Sequence, residues 1–500
     1  MIAVRKIRFV PLGLLATLGL LTGCMSLAPD VAEPQLVAEI PDQYRLTEDA
    51  GEYRPVAWWG AFEDPVLDGL VDEALLSNLD IVEAAARVEQ ASAQARLSRS
   101  ALLPSVNAGV DGSFSSSPVE GLAFGDIAGG VIDRIENESY SASLGASYEL
   151  DLFGRARSDF LAAEQDAIAS SHDLRTVQLA SAAETISVYF EIVDTVRQIE
   201  LVELTNEVLE DRAARSSERF ERGLIESFEL YQVRQDLRST QASLPQLQTA
   251  RGAAVGRLAL LLGTYIPQTE EMLAGPLQPR LVFEPVPSGL PIDLISQRPD
   301  VSAEWARMEA ARLRIGARRA ERFPSISFSG SLASQGGQPS AVFDFADNWA
   351  TSLASSIVAP IFDGGRLSAN IRSARAQYDQ QAAIYARTVL TAYIEVEGAL
   401  SDYSNERARY RLINSQLQSA RASFDLQRRR YETGVGDYTA YLDALRTVYQ
   451  VERSLSTAAL DTALARLGIH RTLGGDWAPG IAPDPLKLRD VDPEKNGDAL

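Results

Sequence analysis

Cysteine and histidine are almost absent from this sequence. Its 500 residues include one cysteine and two histidines, His172 and His470. A single cysteine excludes an internal disulfide framework and a multi-cysteine metal site. The sequence also lacks a phosphate-binding glycine loop and a dinucleotide fingerprint. We therefore expect no enzyme activity, no metal and no cofactor, and we interpret both histidines as solvent-facing helix residues.

Basic residues are also scarce. The sequence has 47 Lys and Arg residues and 68 Asp and Glu residues, which gives a formal net charge of -21. This balance argues against nucleic-acid binding, because binding to phosphates requires a basic surface. The 46% hydrophobic and 23% charged content is typical of a folded protein and excludes wholesale disorder or a polytopic helical membrane protein.

The one long apolar run lies at the amino terminus. Three basic residues precede residues 10–21, which form an apolar stretch too short to span a bilayer comfortably. The run ends in Leu21-Thr22-Gly23-Cys24, which is similar to a bacterial lipoprotein cleavage box. We expect residues 1–23 to be a signal peptide and Cys24 to carry a diacylglycerol and an amide-linked acyl chain. The alternative is an ordinary signal peptide with an incidental cysteine.

Proline and polar residues mark both ends of the mature chain. Residues 24–57 contain four prolines and are interpreted as an extended strap that follows the lipid anchor. Residues 475–500 form a polar, proline-containing segment that we expect to be a disordered tail.

The part between these ends is a tandem duplication. Leu103-Pro104-Ser105-Val106 parallels Phe323-Pro324-Ser325-Ile326 at an offset of 220, and Arg219-Phe220-Glu221-Arg222-Gly223 parallels Arg430-Tyr431-Glu432-Thr433-Gly434 at an offset of 211. The landmarks occur in the same order in both halves. This predicts two repeats, at residues 58–280 and 281–474.

Each repeat contains a very long helix. Residues 155–222 contain no glycine or proline, and residues 366–433 contain only Gly398. At about 1.5 Å per residue, each helix would be roughly 100 Å long. Return helices are predicted at about 228–262 and 438–467, and shorter helices at about 66–101 and 292–321.

Alternating segments lie between the helices and predict four strands in two hairpins, at about 105–151 and 325–362. Along each segment an apolar face alternates with a small, polar face. The length of the segments and the flanking Tyr140, Tyr148 and Trp349 match transmembrane β-strands. Soluble hairpins with one face on a core are the alternative.

Four transmembrane strands cannot close a barrel, because the smallest outer-membrane barrels have eight and an open edge in lipid leaves backbone groups unpaired. Several chains must then share a barrel. Two copies would give eight strands and three would give twelve. The sequence pattern does not choose between them, although the long helices favour a cyclic assembly.

Several short sequence motifs, in their order along the chain, resemble the motifs of one family. They are Trp58-Trp59 with Phe62, Asp64-Pro65 and Leu67-Asp68; Asn78 and Asp80; Asp151-Leu152-Phe153-Gly154-Arg155; Gly289-Leu290-Pro291 with Arg298-Pro299-Asp300; and Phe362-Asp363-Gly364-Gly365-Arg366. The chain resembles an outer membrane efflux protein of the TolC superfamily, in the NodT-type lipoprotein branch of resistance-nodulation-division (RND) outer membrane factors.

This resemblance implies a mainly α protein with transmembrane β-strands. Three copies would form a twelve-stranded outer-membrane barrel continued by a long periplasmic α-helical barrel. The trimer would be the passive exit duct of a tripartite pump for small toxic compounds, with a periplasmic membrane-fusion adaptor and an inner-membrane RND-type transporter as partners. The alternatives are a duct for type I protein secretion and a lipid-anchored coiled-coil scaffold.

The resemblance also assigns site residues where the long helices reverse. It implies that the adaptor docks at Gly223, Leu224, Gly434 and Val435; plain helix capping is the alternative for the glycines.

In the family an aspartate ring narrows the closed tip, and Asp443 matches it. Thr439 matches a constricting position, although the residue there is often apolar. Tyr431 and Glu229 match a pair that latches inner to outer helices at rest. For each of these residues, the alternative is a solvated helix-face residue.

Overall fold

The computed structural model describes residues 27–29, 40–45, 58–118, 134–277, 279–283, 286, 291, 297–343 and 348–474. The predicted signal peptide, Cys24, most of the strap and the predicted tail lie outside the described residues.

The described chain is mainly helical, with one small sheet. In chain order the elements are a 3-10 turn (Trp58–Phe62), α1 (Pro65–Ser77), α2 (Leu79–Ser100), β1 (Ser105–Pro118), β2 (Arg134–Leu150), α3 (Arg155–Glu221), α4 (Ser227–Leu261), α5 (Ile266–Met272), α6 (Pro299–Ala320), β3 (Ser325–Gly336), a 3-10 turn (Pro339–Phe343), β4 (Trp349–Val358), α7 (Arg366–Glu432) and α8 (Tyr438–Leu473).

The two long helices, α3 and α7, have 67 residues each and begin and end within one residue of the predicted limits. Long segments without helix breakers propagate because each added residue contributes one further hydrogen bond. Gly398 is tolerated inside α7, and Pro245 inside α4. Among the described residues, no helix has an apolar stretch long enough to cross a membrane.

The helix predicted at residues 66–101 is wrong in one respect, because it is broken at Asn78. The backbone of Asn78 is extended (ψ 127°), and its N–H caps the end of α1. Its side-chain Oδ1 accepts from the backbone N–H of Asp80 (2.8 Å), and its Nδ2 donates to the carbonyl of Leu261 (2.9 Å). One side chain therefore begins α2 and ties it to the end of α4.

The four strands form one antiparallel sheet in the order β1-β2-β3-β4. The central pair, β2 and β3, joins the two predicted repeats, with Leu144 opposite Leu332. The outer strands β1 and β4 are the sheet edges.

One face of the sheet carries small polar residues whose side chains bond across the strands, such as Ser327 to Ser356 and Ser331 to Ser352, both at 2.8 Å. The other face is apolar and exposed: Val110 is 79% exposed and Leu353 is 89% exposed. In soluble hairpins this apolar face would pack on a core. In the described chain it does not, because its side chains are exposed.

The chain divides into two compact units. Unit 1 comprises residues 1–34, 90–167 and 306–382 and contains the sheet. Unit 2 comprises residues 35–89, 168–305 and 383–500 and contains the largest hydrophobic core among the described residues, built around Leu67, Ile186 and Leu258.

A buried arginine fixes the end of α8 within unit 2. Arg298 donates to both carboxylate oxygens of Asp300, to Glu395 (2.8 Å) and to the carbonyl of Thr472 (2.6 Å). The last contact occupies a carbonyl that the helix end would leave unpaired. Helix α8 accordingly extends to Leu473, six residues beyond the predicted end.

Candidate functional site

The candidate site is the pair of helix reversals in unit 2, called here the tip: residues 222–226 between α3 and α4, residues 433–437 between α7 and α8, and the adjoining helix ends. Gly223 (φ 71°) and Gly434 (φ 74°) adopt the left-handed conformation that favours glycine. The residue after each glycine donates its N–H to the carbonyl five positions earlier, from Leu224 at 2.8 Å and from Val435 at 2.9 Å. Both helices therefore end in Schellman motifs.

Leu224 and Val435 lie on the surface of these turns. In a Schellman motif the residue after the glycine often packs an apolar side chain back against its own helix. Here the opposing positions are Arg219 and Arg430, and Leu224 is 63% and Val435 74% exposed. Their apolar side chains are therefore presented to solvent, as adaptor docking would require, and docking stays a prediction.

Tyr431 is bound by an arginine of the first long helix. Its hydroxyl accepts a hydrogen bond from Arg219 of α3 at 2.6 Å, and its ring packs against those of Tyr438 and Tyr441 at centroid distances of 5.2 and 5.5 Å. Within the described residues, no hydrogen bond joins Tyr431 to Glu229. Arg219 is the residue that binds the hydroxyl, and the latch role of Tyr431 and Glu229 stays a prediction.

Glu229 is nevertheless part of the same electrostatic group. Burial raises the pKa of its carboxyl; the charge of Arg219 opposes this rise, and the charge of Asp437 adds to it. Arg219 thus acts on both predicted latch residues, by a hydrogen bond to Tyr431 and by charge on Glu229.

Asp443 is exposed on α8 and shares a partner with a second acid. Arg446 donates to Asp443 at 3.3 Å and also to both carboxylate oxygens of Asp236 on α4. The side chain of Asp236 is only 17% exposed, compared with 63% for Asp443. Arg446 therefore links α8 to α4 and partly offsets the charge of Asp443. Thr439 lies one turn earlier, half-buried on the same face of α8.

A second arginine from α3 binds a tyrosine of α8. Arg212 donates to the Tyr441 hydroxyl at 2.5 Å and lies 4.5 Å above the centre of that ring. Arg212, Arg219, Arg446 and Asp236 were not predicted from the sequence. The duplication offset of 211 was the available signal, since Arg219 and Tyr431 lie 212 positions apart and Asp236 and Arg446 lie 210 apart.

One of the two histidines is buried, contrary to the prediction. His172 is half-buried, whereas His470, predicted to face solvent, is 8% exposed near the end of α8. Burial, with a contribution from the charge of Arg466, lowers the pKa of His470 to about 3. Among the described residues, no group of three or more potential ligands could hold a metal ion.

Comparison with known proteins shows the family to which this chain belongs. Residues 70–264 and 290–475 match the family described as outer membrane efflux protein. The chain is 31% identical over 474 residues to the toluene efflux pump outer membrane protein TtgC of Pseudomonas putida, which covers 93% of this chain and 95% of that protein. It is 29% identical over 462 residues to the pyoverdine export outer membrane protein OpmQ of Pseudomonas aeruginosa, covering 92% and 95%.

The fold agrees with this match. The structure of the outer-membrane channel OprN superimposes with a TM-score of 0.79 at 28% identity and covers 90% of this chain and 99% of that one. Relatives described as outer-membrane channel components match this chain over almost their full length, which favours the channel over a lipid-anchored coiled-coil scaffold. The chain belongs to the outer membrane efflux protein family and is the outer-membrane channel component of an efflux pump.

Proposed function

We propose that three copies of this chain form a closed duct through the outer membrane. The observation that carries this proposal is the open sheet with an exposed apolar face. In lipid its edge strands β1 and β4 would leave backbone groups unpaired unless another copy paired with them. Two copies would give an eight-stranded barrel whose interior is filled by side chains, whereas three would give twelve strands with space for a passage.

The spacing of two tyrosines supports membrane insertion of the apolar face. Tyr140 and Tyr148 both lie in β2 on this face, eight residues apart. At about 3.4 Å per residue they are roughly 27 Å apart along the strand, which a tilt of about 40° reduces to roughly 20 Å. The apolar band of an outer-membrane barrel has a similar height and is flanked by aromatic residues.

The tip is proposed to be the gate at the periplasmic end. Arg219 holds Tyr431 and Arg446 holds Asp236, so each contact joins a helix of the first repeat to one of the second. Breaking these contacts would allow α7 and α8 to move away from α3 and α4. In a trimer, three copies of Asp443 would form an acidic ring, whose charge Arg446 partly offsets.

The exposed apolar residues at the tip are proposed to bind the helical hairpins of a periplasmic membrane-fusion adaptor. An inner-membrane RND-type transporter would complete the pump and supply the energy. We propose small toxic compounds as cargo; the relatives named above are described as exporting toluene and pyoverdine. Type I protein secretion is the less favoured alternative, because many secretion ducts lack a lipoprotein box.

Cys24 is proposed to carry the lipid anchor. Two acyl-bearing groups on one residue satisfy the requirement for firm attachment to a membrane.

Membrane extraction tests the proposal as a whole. The mature protein with Cys24→Ala should still fractionate as an integral membrane protein, because its sheet spans the bilayer without help from the lipid. Release of this variant by high salt or carbonate would contradict a transmembrane sheet and would leave the lipid as the sole anchor.

A further inference from the structure

A cavity lies between α3, α7 and α8 within unit 2, away from the tip. Its volume is about 460 Å³. Small-molecule sites in proteins usually have volumes of about 300–1,000 Å³. The cavity is therefore large enough to hold a small organic ligand.

Small side chains on one face of α8 leave this space open. Ser456 and Ala459 line the cavity and lie three residues apart, on the same face of the helix. Leu455 packs against a smaller hydrophobic cluster on α7 and α8, and Leu460 packs against the core around Leu67. The cavity thus lies between two hydrophobic clusters, where the side chains of α8 are too small to fill the gap.

Apolar side chains form most of the wall. They come from α3, α7, α8 and the segment that follows α5, and they include Phe190, Val193, Leu281, Leu417, Leu455 and Leu460. Hydrogen bonds hold the segment after α5 in place: the N–H of Arg280 donates to the carbonyl of Phe62 at 2.8 Å, and the Tyr403 hydroxyl donates to the carbonyl of Val282 at 3.2 Å. A preformed apolar wall favours a ligand with an apolar body.

Five charged residues line the cavity, and four of them form two ion pairs. Arg197 binds Glu200 at 2.8 Å, and Arg421 binds Glu452 at 2.6 Å. The side chains of Arg197 and Glu200 are more than half exposed, at 57% and 52%, so the cavity reaches the surface. The charges within each pair cancel. The lining therefore carries one net negative charge, which belongs to Asp194.

Asp194 has neutral hydrogen-bond donors. Its Oδ1 accepts from the Ser456 hydroxyl at 2.5 Å, and its Oδ2 accepts from the amide of Gln198 at 2.7 Å. Burial raises the pKa of the Asp194 carboxyl; the two hydrogen bonds and the charge of Arg453 oppose the rise, and the charge of Asp461 adds to it. Neither Arg453 nor Asp461 lines the cavity. A carboxylate has about four acceptor positions, so Asp194 can accept further hydrogen bonds from a ligand.

The charge of the lining selects the charge of the ligand. A cation would bind a carboxylate that the described residues do not neutralise with a direct ion pair. An anion would be repelled, and a neutral ligand would bury the carboxylate further without pairing its charge. Phe190 and Tyr410 also line the cavity, and aromatic rings attract cations.

We propose that this cavity is a binding site for an organic cation with a large apolar body, whose amine binds Asp194 and whose body lies between α3, α7 and α8. Asp194 belongs to the first predicted repeat and Ser456 to the second, so a bound ligand would contact both. The site goes beyond the proposed duct, because it is a place where the protein itself binds a small molecule.

Two fluorescent probes of the same shape test the role of charge. Anthracenylmethylamine is a cation at neutral pH, and anthracenylmethanol is its neutral counterpart. Each is titrated into the assembled mature protein, which is held in an amphipathic polymer so that no detergent micelle absorbs the probe. Binding of the amine should be saturable and at least about tenfold tighter than binding of the alcohol, because the amine forms a charge-assisted hydrogen bond.

Asp194→Asn is the test variant, and Glu203→Gln is its matched control. Both remove one negative charge from α3, but Glu203 is exposed and does not line the cavity. Asp194→Asn should weaken binding of the amine at least about tenfold and leave the alcohol unchanged, whereas Glu203→Gln should change neither. Ala459→Phe should weaken binding of both probes, because the ring would occupy the cavity. The mass and the thermal midpoint of the assembly check that each variant folds.

Equal affinity for the two probes, or a preference for the amine that persists in Asp194→Asn, would overturn the cation site. Unchanged binding to Ala459→Phe would place the probe elsewhere and would also overturn it. If neither probe binds saturably to the wild-type assembly, the cavity is covered in that assembly and the proposal is wrong.

Discussion

Replacing Arg446 with alanine should open the channel. In the structure Arg446 of α8 binds Asp236 of α4 and also contacts Asp443. The variant removes this link and exposes both carboxylates to each other's charge without a cation between them. Both effects favour separation of α8 from α4.

The size of the effect follows from the exposure of the pair. The side chain of Arg446 is 45% exposed and that of Asp236 is 17% exposed, so solvent screening limits the pair to about 0.5–1 kcal/mol per chain. If three chains open together, the loss adds to about 1.5–3 kcal/mol. The ratio of open to closed channels should therefore rise by about 10- to 150-fold.

Single-channel recording in planar bilayers measures this ratio directly. Arg421→Ala is the matched control, because Arg421 binds Glu452 at 2.6 Å and the carboxylate has nearly the same exposure, 18%. That pair joins α7 to α8 and does not reach α4. If Arg446→Ala opens the channel no more than Arg421→Ala does, the proposed link between α4 and α8 does not hold the gate closed.

Three further changes give separate expectations. Asp443→Ala should raise conductance. It should also raise about tenfold the concentration of divalent cation needed to block the channel, which corresponds to a loss of about 1.4 kcal/mol in cation binding. Unchanged block would refute the acidic ring. Leu224→Asp should weaken adaptor binding by at least about tenfold, because docking would bury a charge, whereas Leu412→Asp, at a site 71% exposed on α7, should not. His470 has a folded pKa of about 3 against an ordinary 6.5. The unfolded chain therefore takes up the proton first, and stability should fall by about 2 kcal/mol per chain between pH 7 and pH 5. His470→Gln should lose this pH dependence in guanidinium denaturation, and an equal dependence in both proteins would refute the burial argument.

Local patterns in the sequence predicted the elements well. The absence of glycine and proline predicted α3 and α7, and strict alternation predicted the four strands of the sheet. In both cases the signal lies within the element itself. The break at Asn78 was missed, because the side chain that caps α2 also needs the carbonyl of Leu261, which is 183 residues away.

The contacts at the tip could not be predicted from local patterns in the sequence. Arg219 and Arg446 looked like ordinary charged residues on helix surfaces, and each has its partner on the other repeat. His470 looked exposed because its neighbours are polar, yet it is buried near the end of α8, where Arg298 binds the carbonyl of Thr472. Only the tertiary packing could reveal these roles.

The most direct test of a shared channel is the mass of the detergent-extracted mature protein, determined together with its conductance. Three copies of a four-stranded sheet, closed at an acidic tip, predict an assembly of three chains with small, cation-favouring currents. A single chain or a pair without currents would show that the sheet edges do not close with those of other copies, and would contradict the proposed duct.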